Sequence, residues 1–117
     1  MKKFLDPLIP RKKKITDNVF FLNNFDKIPL PSVVEISESG TCNRTCSFCP
    51  RSAPDYKDIK EFISEDLIMK LSKELKEYNY QGIFLFSGFV EPLLDKNIYN
   101  LISIVKKNIP LAKIEMV

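Results

Sequence analysis

The sequence contains no histidine, which removes imidazole general-base chemistry, Cys-His nucleophilic pairs and histidine metal ligation from what this chain can do by itself. Cysteine is scarce: three in 117 residues. An odd number crowded into one short stretch argues against a disulfide framework. Neither end carries the long apolar run of a signal peptide or membrane span, since residues 1–10 mix in Lys2, Lys3, Asp6, Pro7 and Pro10. A cytoplasmic protein without membrane contact is the expectation, and such a compartment keeps thiols reduced. No internal repeat or low-complexity segment is visible.

What remains is an ordinary composition, 44% hydrophobic and 28% charged, that of a single soluble globular domain. The net charge of +3 and pI near 8.7 are mild. Much of the excess lies in Lys2, Lys3, Arg11, Lys12, Lys13 and Lys14, read as a solvated tail. A nucleic-acid or membrane-surface role for that run lacks the interleaved aromatic residues that stack on bases, so no nucleic-acid partner is expected.

Residues 1–31 form an irregular lead-in segment with Pro7, Pro10, Pro29 and Pro31, interrupted by the apolar stretch Val19, Phe20, Phe21, Leu22, a candidate lead-in strand. Residues 32–117 carry the regular patterning. Val33, Val34, Glu35 and Ile36 are a β-branched run that enters the polar cluster Ser37, Glu38, Ser39, Gly40, as a strand entering a loop does. A connection from 38 to 63, with Gly40, Pro50 and Pro54, is far longer than a usual strand-to-helix loop, and long loops there carry function. Ser64 followed by Glu65 and Asp66 is a helix start, with Leu67, Leu71, Leu75 and Tyr78 expected along its buried face. Gly82 to Phe86 is a continuous apolar run suited to a strand buried on both faces. Ile98, Leu101, Ile102 and Val105 repeat at helical spacing, Lys106 and Lys107 close the last turn, and Pro110 forbids continuation. Lys113 to Val117 reads as a third strand.

The order strand, helix, strand, helix, strand predicts an α/β fold with a parallel sheet and right-handed crossovers, so the carboxyl ends of all three strands share one edge. Function is expected at that edge. Three strands covered on one face leave the other face and the last edge unprotected, and with the end falling inside a strand, a truncated chain or gene fragment is expected.

All three cysteines lie in Cys42-Asn43-Arg44-Thr45-Cys46-Ser47-Phe48-Cys49, a Cys-x3-Cys-x2-Cys spacing after the first strand. Nucleophilic chemistry and metal ligation are both open to such thiols. Structural zinc wants a fourth cysteine or a histidine, and neither exists. Packing alone explains one buried cysteine well and three in a polar loop poorly. Thiolates are the usual protein ligands of iron-sulfur clusters, and three on a four-iron cluster leave one iron free for a substrate.

The loop resembles the signature of the radical S-adenosylmethionine (SAM) superfamily, Cys-x3-Cys-x-aromatic-Cys, with Phe48 at the aromatic position. The resemblance implies a [4Fe-4S] cluster on Cys42, Cys46 and Cys49. Its unique iron would bind the amino and carboxylate groups of SAM, and reductive cleavage would yield a 5′-deoxyadenosyl radical. It further implies a low-potential electron donor of flavodoxin or ferredoxin type, and an oxidoreductase, maturase or transferase whose substrate is unreadable. A second stretch, Phe86-Ser87-Gly88-Phe89-Val90-Glu91-Pro92, looks like the superfamily's glycine-glycine-glutamate segment that contacts the SAM amino group. Ser87, Gly88 and Glu91, with Phe48, are thus implied cofactor contacts. Gly88 would let backbone approach a ligand, and Glu91 could pair with an ammonium. Relatives usually place glycine immediately before the glutamate; here Val90 stands there. By itself the stretch reads first as an ordinary loop between a strand end and a turn, and the cysteines beside it reverse that preference.

The resemblance covers roughly Ser32 to Val117, about the first half of a partial (βα)6, TIM-like barrel. Around Pro50 and the Ser87-Gly88-Phe89 segment it looks nearest to members with a SPASM-type extension, though no cysteines for auxiliary clusters are present. The competing reading is a non-catalytic iron-sulfur binding module or an inactive fragment.

Overall fold

The computed structural model describes Lys13 and residues 30–117. The chain divides into two compact units, Met1–Ser32 and Val33–Val117, and the apolar stretch expected as a lead-in strand at residues 19–22 lies outside the described residues. In chain order the second unit contains β1 (Val33–Ile36), β2 (Ser39–Gly40), a 3-10 turn (Pro50–Ser52), β3 (Ile59–Phe62), α1 (Glu65–Glu77), β4 (Ile83–Phe86), a second 3-10 turn (Pro92–Leu94), α2 (Ile98–Asn108) and β5 (Lys113–Met116).

β4 lies between β1 and β5 and runs parallel to both, with Val33 and Lys113 level with Ile83, and Ile36 and Met116 level with Phe86. The central place falls to the strand whose sequence, Ile-Phe-Leu-Phe, carries no charge on either face. β1 and β5 carry Glu35, Lys113 and Glu115, which an edge strand tolerates. This register puts Val34, Ile36, Phe84, Phe86, Ile114 and Met116 on one face, all apolar. Phe84 and Phe86 are fully buried there with ring centroids 5.4 Å apart, each burial worth roughly 1.5–3 kcal/mol. The opposite face holds Glu35 and Lys113, both exposed, beside Leu85, which is 9% exposed.

α1 begins as expected: Ser64 Oγ accepts from Leu67 N at 3.2 Å, with Glu65 and Asp66 in the first turn. Its buried stripe is the expected one only in part. Leu75 is buried and Leu71 half-buried, but Leu67 and Tyr78 are exposed, and Ile68 and Ser72 are buried in their place. The stripe turns by one residue because α2 supplies a partner for the serine: Asn108 Nδ2 donates to Ser72 Oγ at 2.9 Å. The helix ends in a Schellman motif, with Asn79 at φ 53°, Asn79 N bonded to Lys76 O and Tyr80 N to Leu75 O. Buried Tyr80 and Leu75 complete its hydrophobic contact. In α2, Leu101 and Val105 are buried, and Lys106 Nζ donates to the carbonyls of Pro110 and Ala112 beyond the helix end.

The stretch from 38 to 63, expected as one loop, is folded back on itself. β2 and β3 pair antiparallel, Ser39 opposite Phe62 and Gly40 opposite Ile59. Two residues of β2 and a fully exposed β3 make too short a pattern to stand out in sequence. Gly40 makes the approach feasible, since a Cβ there would lie 2.1 Å from Ile59 O. Among the described residues, no helix is long and apolar enough to cross a membrane.

Candidate functional site

The carboxyl ends of β1 and β4 are laced together. Ser87 N donates to Ile36 O at 3.0 Å, and Ser37 Oγ donates to Ser87 O at 3.0 Å. Gly88 follows at φ +120°, where a Cβ would lie 2.2 Å from Ser37 Oγ, so both backbone conformation and crowding demand glycine. Three residues on, Glu91 N donates to Thr41 O at 3.0 Å, fixing the segment after β4 beside the cysteine loop.

Between these loops lies an open cavity of ≈ 240 Å³, lined by all three cysteines and by Arg44, Phe48, Gly88, Phe89, Val90, Glu91 and Val117. It sits at the shared carboxyl edge of β1, β4 and β5, where a parallel sheet places its function. Cys42, Cys46 and Cys49 are free and half-buried. The turn between the last two is closed by Cys49 N to Cys46 O at 3.0 Å, and Arg44 N donates to Cys42 Sγ at 3.4 Å. Among the described residues, no three Cys, Asp or Glu side chains converge as ligands of a single ion. The donor set, three soft thiols with no imidazole, fits iron-sulfur ligation.

Two arginines complete the frame. Arg51, its side chain only 6% exposed, donates through Nη1 to Gly40 O at 3.1 Å, Phe89 O at 2.9 Å and Tyr56 Oη at 3.1 Å, and pairs through Nη2 with Asp58. It therefore ties the cysteine loop to the segment after β4. Arg44 Nε meets Glu91 Oε2 at 2.8 Å, and Leu93 N donates to Glu91 Oε1 at 3.4 Å.

No family model matches the chain. Over 82 residues, 70% of its length, it is 32% identical to the S-adenosyl-L-methionine-dependent 2-deoxy-scyllo-inosamine dehydrogenase of Niallia circulans, of which the match covers 32%. Its fold matches the crystal structure of BtrN in complex with AdoMet and 2-DOIA with a TM-score of 0.70 at 29% identity, over 77% of this chain and 36% of that one. It also matches selenomethionine BtrN in an open conformation with a TM-score of 0.64 at 28% identity, over 79% and 39% of the two chains. These likenesses support the resemblance to the radical SAM superfamily seen in the cysteine loop. The chain spans about a third of the length of the relatives it matches, and its parallel α/β unit corresponds to part of their barrel.

Of the radical SAM positions expected from sequence, Cys42, Cys46, Cys49, Phe48, Gly88 and Glu91 line the one cavity; Ser87 does not, its main chain being spent on the lacing to β1. Arg44, Phe89 and Val117 join the lining without having been singled out, and so does Val90, which stood out in sequence only as a departure from the superfamily pattern. A charge standing between two candidate ligands was the available signal for Arg44. For Arg51 there was none, because its acceptors are main-chain carbonyls distant in sequence.

Glu38 and Asp95 are buried carboxyls. Asp95 Oδ1 accepts from Asn97 N at 2.8 Å, ahead of α2, while Asp95 Oδ2 and Glu38 Oε2 have no partner. Burial pushes the Glu38 carboxyl above its ordinary value, and the charges of Asp95 and Glu91 push it the same way. A raised carboxyl favours folding below its unfolded value, near 4.5, and that contribution is lost as pH rises through the folded value. Glu38→Gln is therefore expected to be more stable than the parent at pH 8, with the gap closing toward pH 5. Thermal unfolding across that range checks it; curves that stay parallel would show that Glu38 titrates as an ordinary carboxyl.

Proposed function

We propose that this chain is the cluster- and cofactor-binding part of a radical SAM enzyme, with Cys42, Cys46 and Cys49 holding a [4Fe-4S] cluster and SAM bound against Gly88–Glu91. The reading is carried by one observation: the three cysteines and the glycine-glutamate segment line the same cavity. When bound, the cluster would supply the electron for reductive cleavage of the SAM sulfonium, the radical-generating step of the superfamily.

The chain's own residues have distinct tasks in this reading. The cysteine thiolates hold iron and leave one corner without a protein ligand. Gly88 has no side chain to bar a ligand from the backbone. Glu91, 12% exposed, offers an anion to the ammonium of an amino-acid end. Phe48 is 89% exposed on the cavity rim, a free aromatic face on which a purine can stack. Reduction calls for a low-potential donor of flavodoxin or ferredoxin type in the cytoplasm. The likeness to a dehydrogenase favours an oxidation among the superfamily's reactions. A nearer affinity with SPASM-type members rests on the residues around Pro50 and Ser87-Gly88-Phe89 alone.

The test is anaerobic reconstitution of the chain, followed by electron paramagnetic resonance of the reduced cluster with and without SAM. A four-iron signal that SAM perturbs is the expected result; failure to assemble any cluster would overturn the reading. A cluster indifferent to SAM would establish the competing one, an iron-sulfur binding module or inactive fragment. That alternative draws on Glu91 being already engaged by Arg44 and Leu93 N. Val90→Gly restores the residue that relatives carry before the glutamate and removes a side chain from the cavity wall, so SAM is expected to bind a few-fold more tightly. Titration curves identical to the parent's would count against matching this segment to the superfamily's.

A further inference from the structure

Each of the two chain segments that line the cavity has a buried acid at its base. Glu38 lies between β1 and β2, ahead of the cysteines, and its carbonyl accepts from Ile63 N at 2.7 Å. Asp95 lies between the second 3-10 turn and α2, behind Glu91. Glu38 is fully buried and Asp95 is 4% exposed. Each has one oxygen with a donor, Ser39 Oγ at 3.5 Å for Glu38 Oε1 and Asn97 N at 2.8 Å for Asp95 Oδ1, and each leaves its other oxygen orphaned. The charges that act on Glu38, those of Asp95 and Glu91, are both negative. Among the described residues no basic side chain is bonded to Glu38 or Asp95: Arg44 is paired with Glu91 and Arg51 with Asp58, while Lys60 and Glu61 of β3 and Lys96 beside Asp95 are exposed. A buried carboxylate oxygen without a donor keeps its full desolvation penalty, and a second buried anion within reach adds repulsion to it.

A single proton removes both defects, turning one orphaned oxygen into a donor and the other into its acceptor. We infer that Glu38 and Asp95 share one proton, carried on Glu38 Oε2 and donated to Asp95 Oδ2, and that this bond clasps the base of the cysteine loop to the base of the segment after β4. Glu38 is the carrier because burial disfavours its charged form. Asp95 is the acceptor, its first oxygen already holding Asn97 N at the start of α2. Loss of the proton sets two like charges side by side in the interior and drives the two bases apart. Because the folded value of Glu38 is raised, the clasp is complete below the unfolded value near 4.5 and is lost as pH rises through the folded value. The clasp depends on the two carboxyls alone and is independent of whether the cavity binds SAM.

The experiment is amide exchange of the full chain from about pH 5 to about pH 8, each rate divided by that of the unstructured amide at the same pH, beside Glu38→Gln and Asp95→Asn. The Ile63 and Glu91 amides, bonded to Glu38 O and Thr41 O, are the reporters. Their protection is expected to fall about tenfold per pH unit until the folded value of Glu38 is passed, the slope that release of one proton gives, while the centre of β4 stays unchanged. Glu38→Gln places a permanent N–H donor opposite Asp95, and Asp95→Asn removes the like charge, so both variants should lose the slope. The infrared spectrum of the parent near pH 5 should contain the C=O stretch of a buried protonated acid, absent from Glu38→Gln and displaced in Asp95→Asn, where its acceptor has changed. If one variant fails to fold, the other carries both comparisons. A slope retained in the variants, or an acid band unmoved by Asp95→Asn, would overturn the shared proton. Protection that rises with added Mg2+ at constant pH, without an acid band, would overturn it in favour of a bound cation.

Discussion

Cys46→Ala is expected to emerge from anaerobic reconstitution without the iron, the sulfide or the visible absorbance of a cluster, while keeping the parent's far-ultraviolet circular dichroism. Cys46 is the middle member of the Cys-x3-Cys-x2-Cys set, and removing it leaves two thiols, fewer than any protein-held four-iron cluster of this type uses. The change should be nearly silent for the fold. Cys46 is half-buried in a loop outside the β1–β4–β5 sheet, so the stability cost is about 1 kcal/mol or less. A cysteine retained for packing would behave in the opposite way, with a visible loss of stability and no change in colour. Ser47→Ala, next in the chain and exposed, should reconstitute like the parent. Undiminished iron and sulfide in Cys46→Ala would sink the ligand assignment.

The parallel sheet was legible because each strand carries its own local signature. Ile83–Phe86 is apolar on both faces, as suits a central strand, and the β-branched run Val33–Ile36 and the closing run Lys113–Met116 flank it. Ser64 announced the start of α1 through a single hydroxyl acting on an amide three residues away. Legibility failed where the deciding partner was distant. The buried stripe of α1 turned on Asn108 bonding Ser72 across 36 residues, and no periodicity within α1 contains that information. The β2–β3 ribbon failed for the same reason, since its register depends on Gly40 yielding space to Ile59.

The site divides along the same line. Cysteine spacing is local and chemically specific, so the three thiols stood out at once. The second motif was weak in sequence because Val90 interrupts it, and what strengthens it is the cavity that Gly88 to Glu91 share with the cysteines. Gly88 shows why a residue type can be read correctly for an incomplete reason. Its φ of +120° and its crowding against Ser37 Oγ serve the lacing of β1 to β4 as much as any ligand. Arg44 and Arg51 act through contacts made only after the loops have met.

Arg51→Ala is expected to be the most damaging single change outside the cysteines, although Arg51 ligates nothing. Its guanidinium is nearly buried, reaches two main-chain carbonyls on different loops, and lies 4.9 Å from the ring centroid of Tyr56. Alanine removes the donor from Gly40 O and Phe89 O together, and a charge-assisted hydrogen bond contributes about 1.5–3 kcal/mol. Because the two bonds share one side chain, a combined loss of about 2–3 kcal/mol is the reasonable expectation. Asp58, half-open to water, adds little once unpaired. The loss should be local: amide exchange ought to accelerate across residues 40–56 and 87–91 and stay unchanged in α1 and in the centre of β4. Cluster assembly should fall with it, because the loop that presents Cys42, Cys46 and Cys49 loses its tie to the rest of the cavity. Arg51→Lys keeps the charge but supplies a single ammonium in place of a planar fork, so it should recover part of the stability and less of the cluster yield. Exchange rates identical to the parent's in both segments would show that the Thr41–Glu91 and Ser37–Ser87 hydrogen bonds hold the two loops together without the arginine.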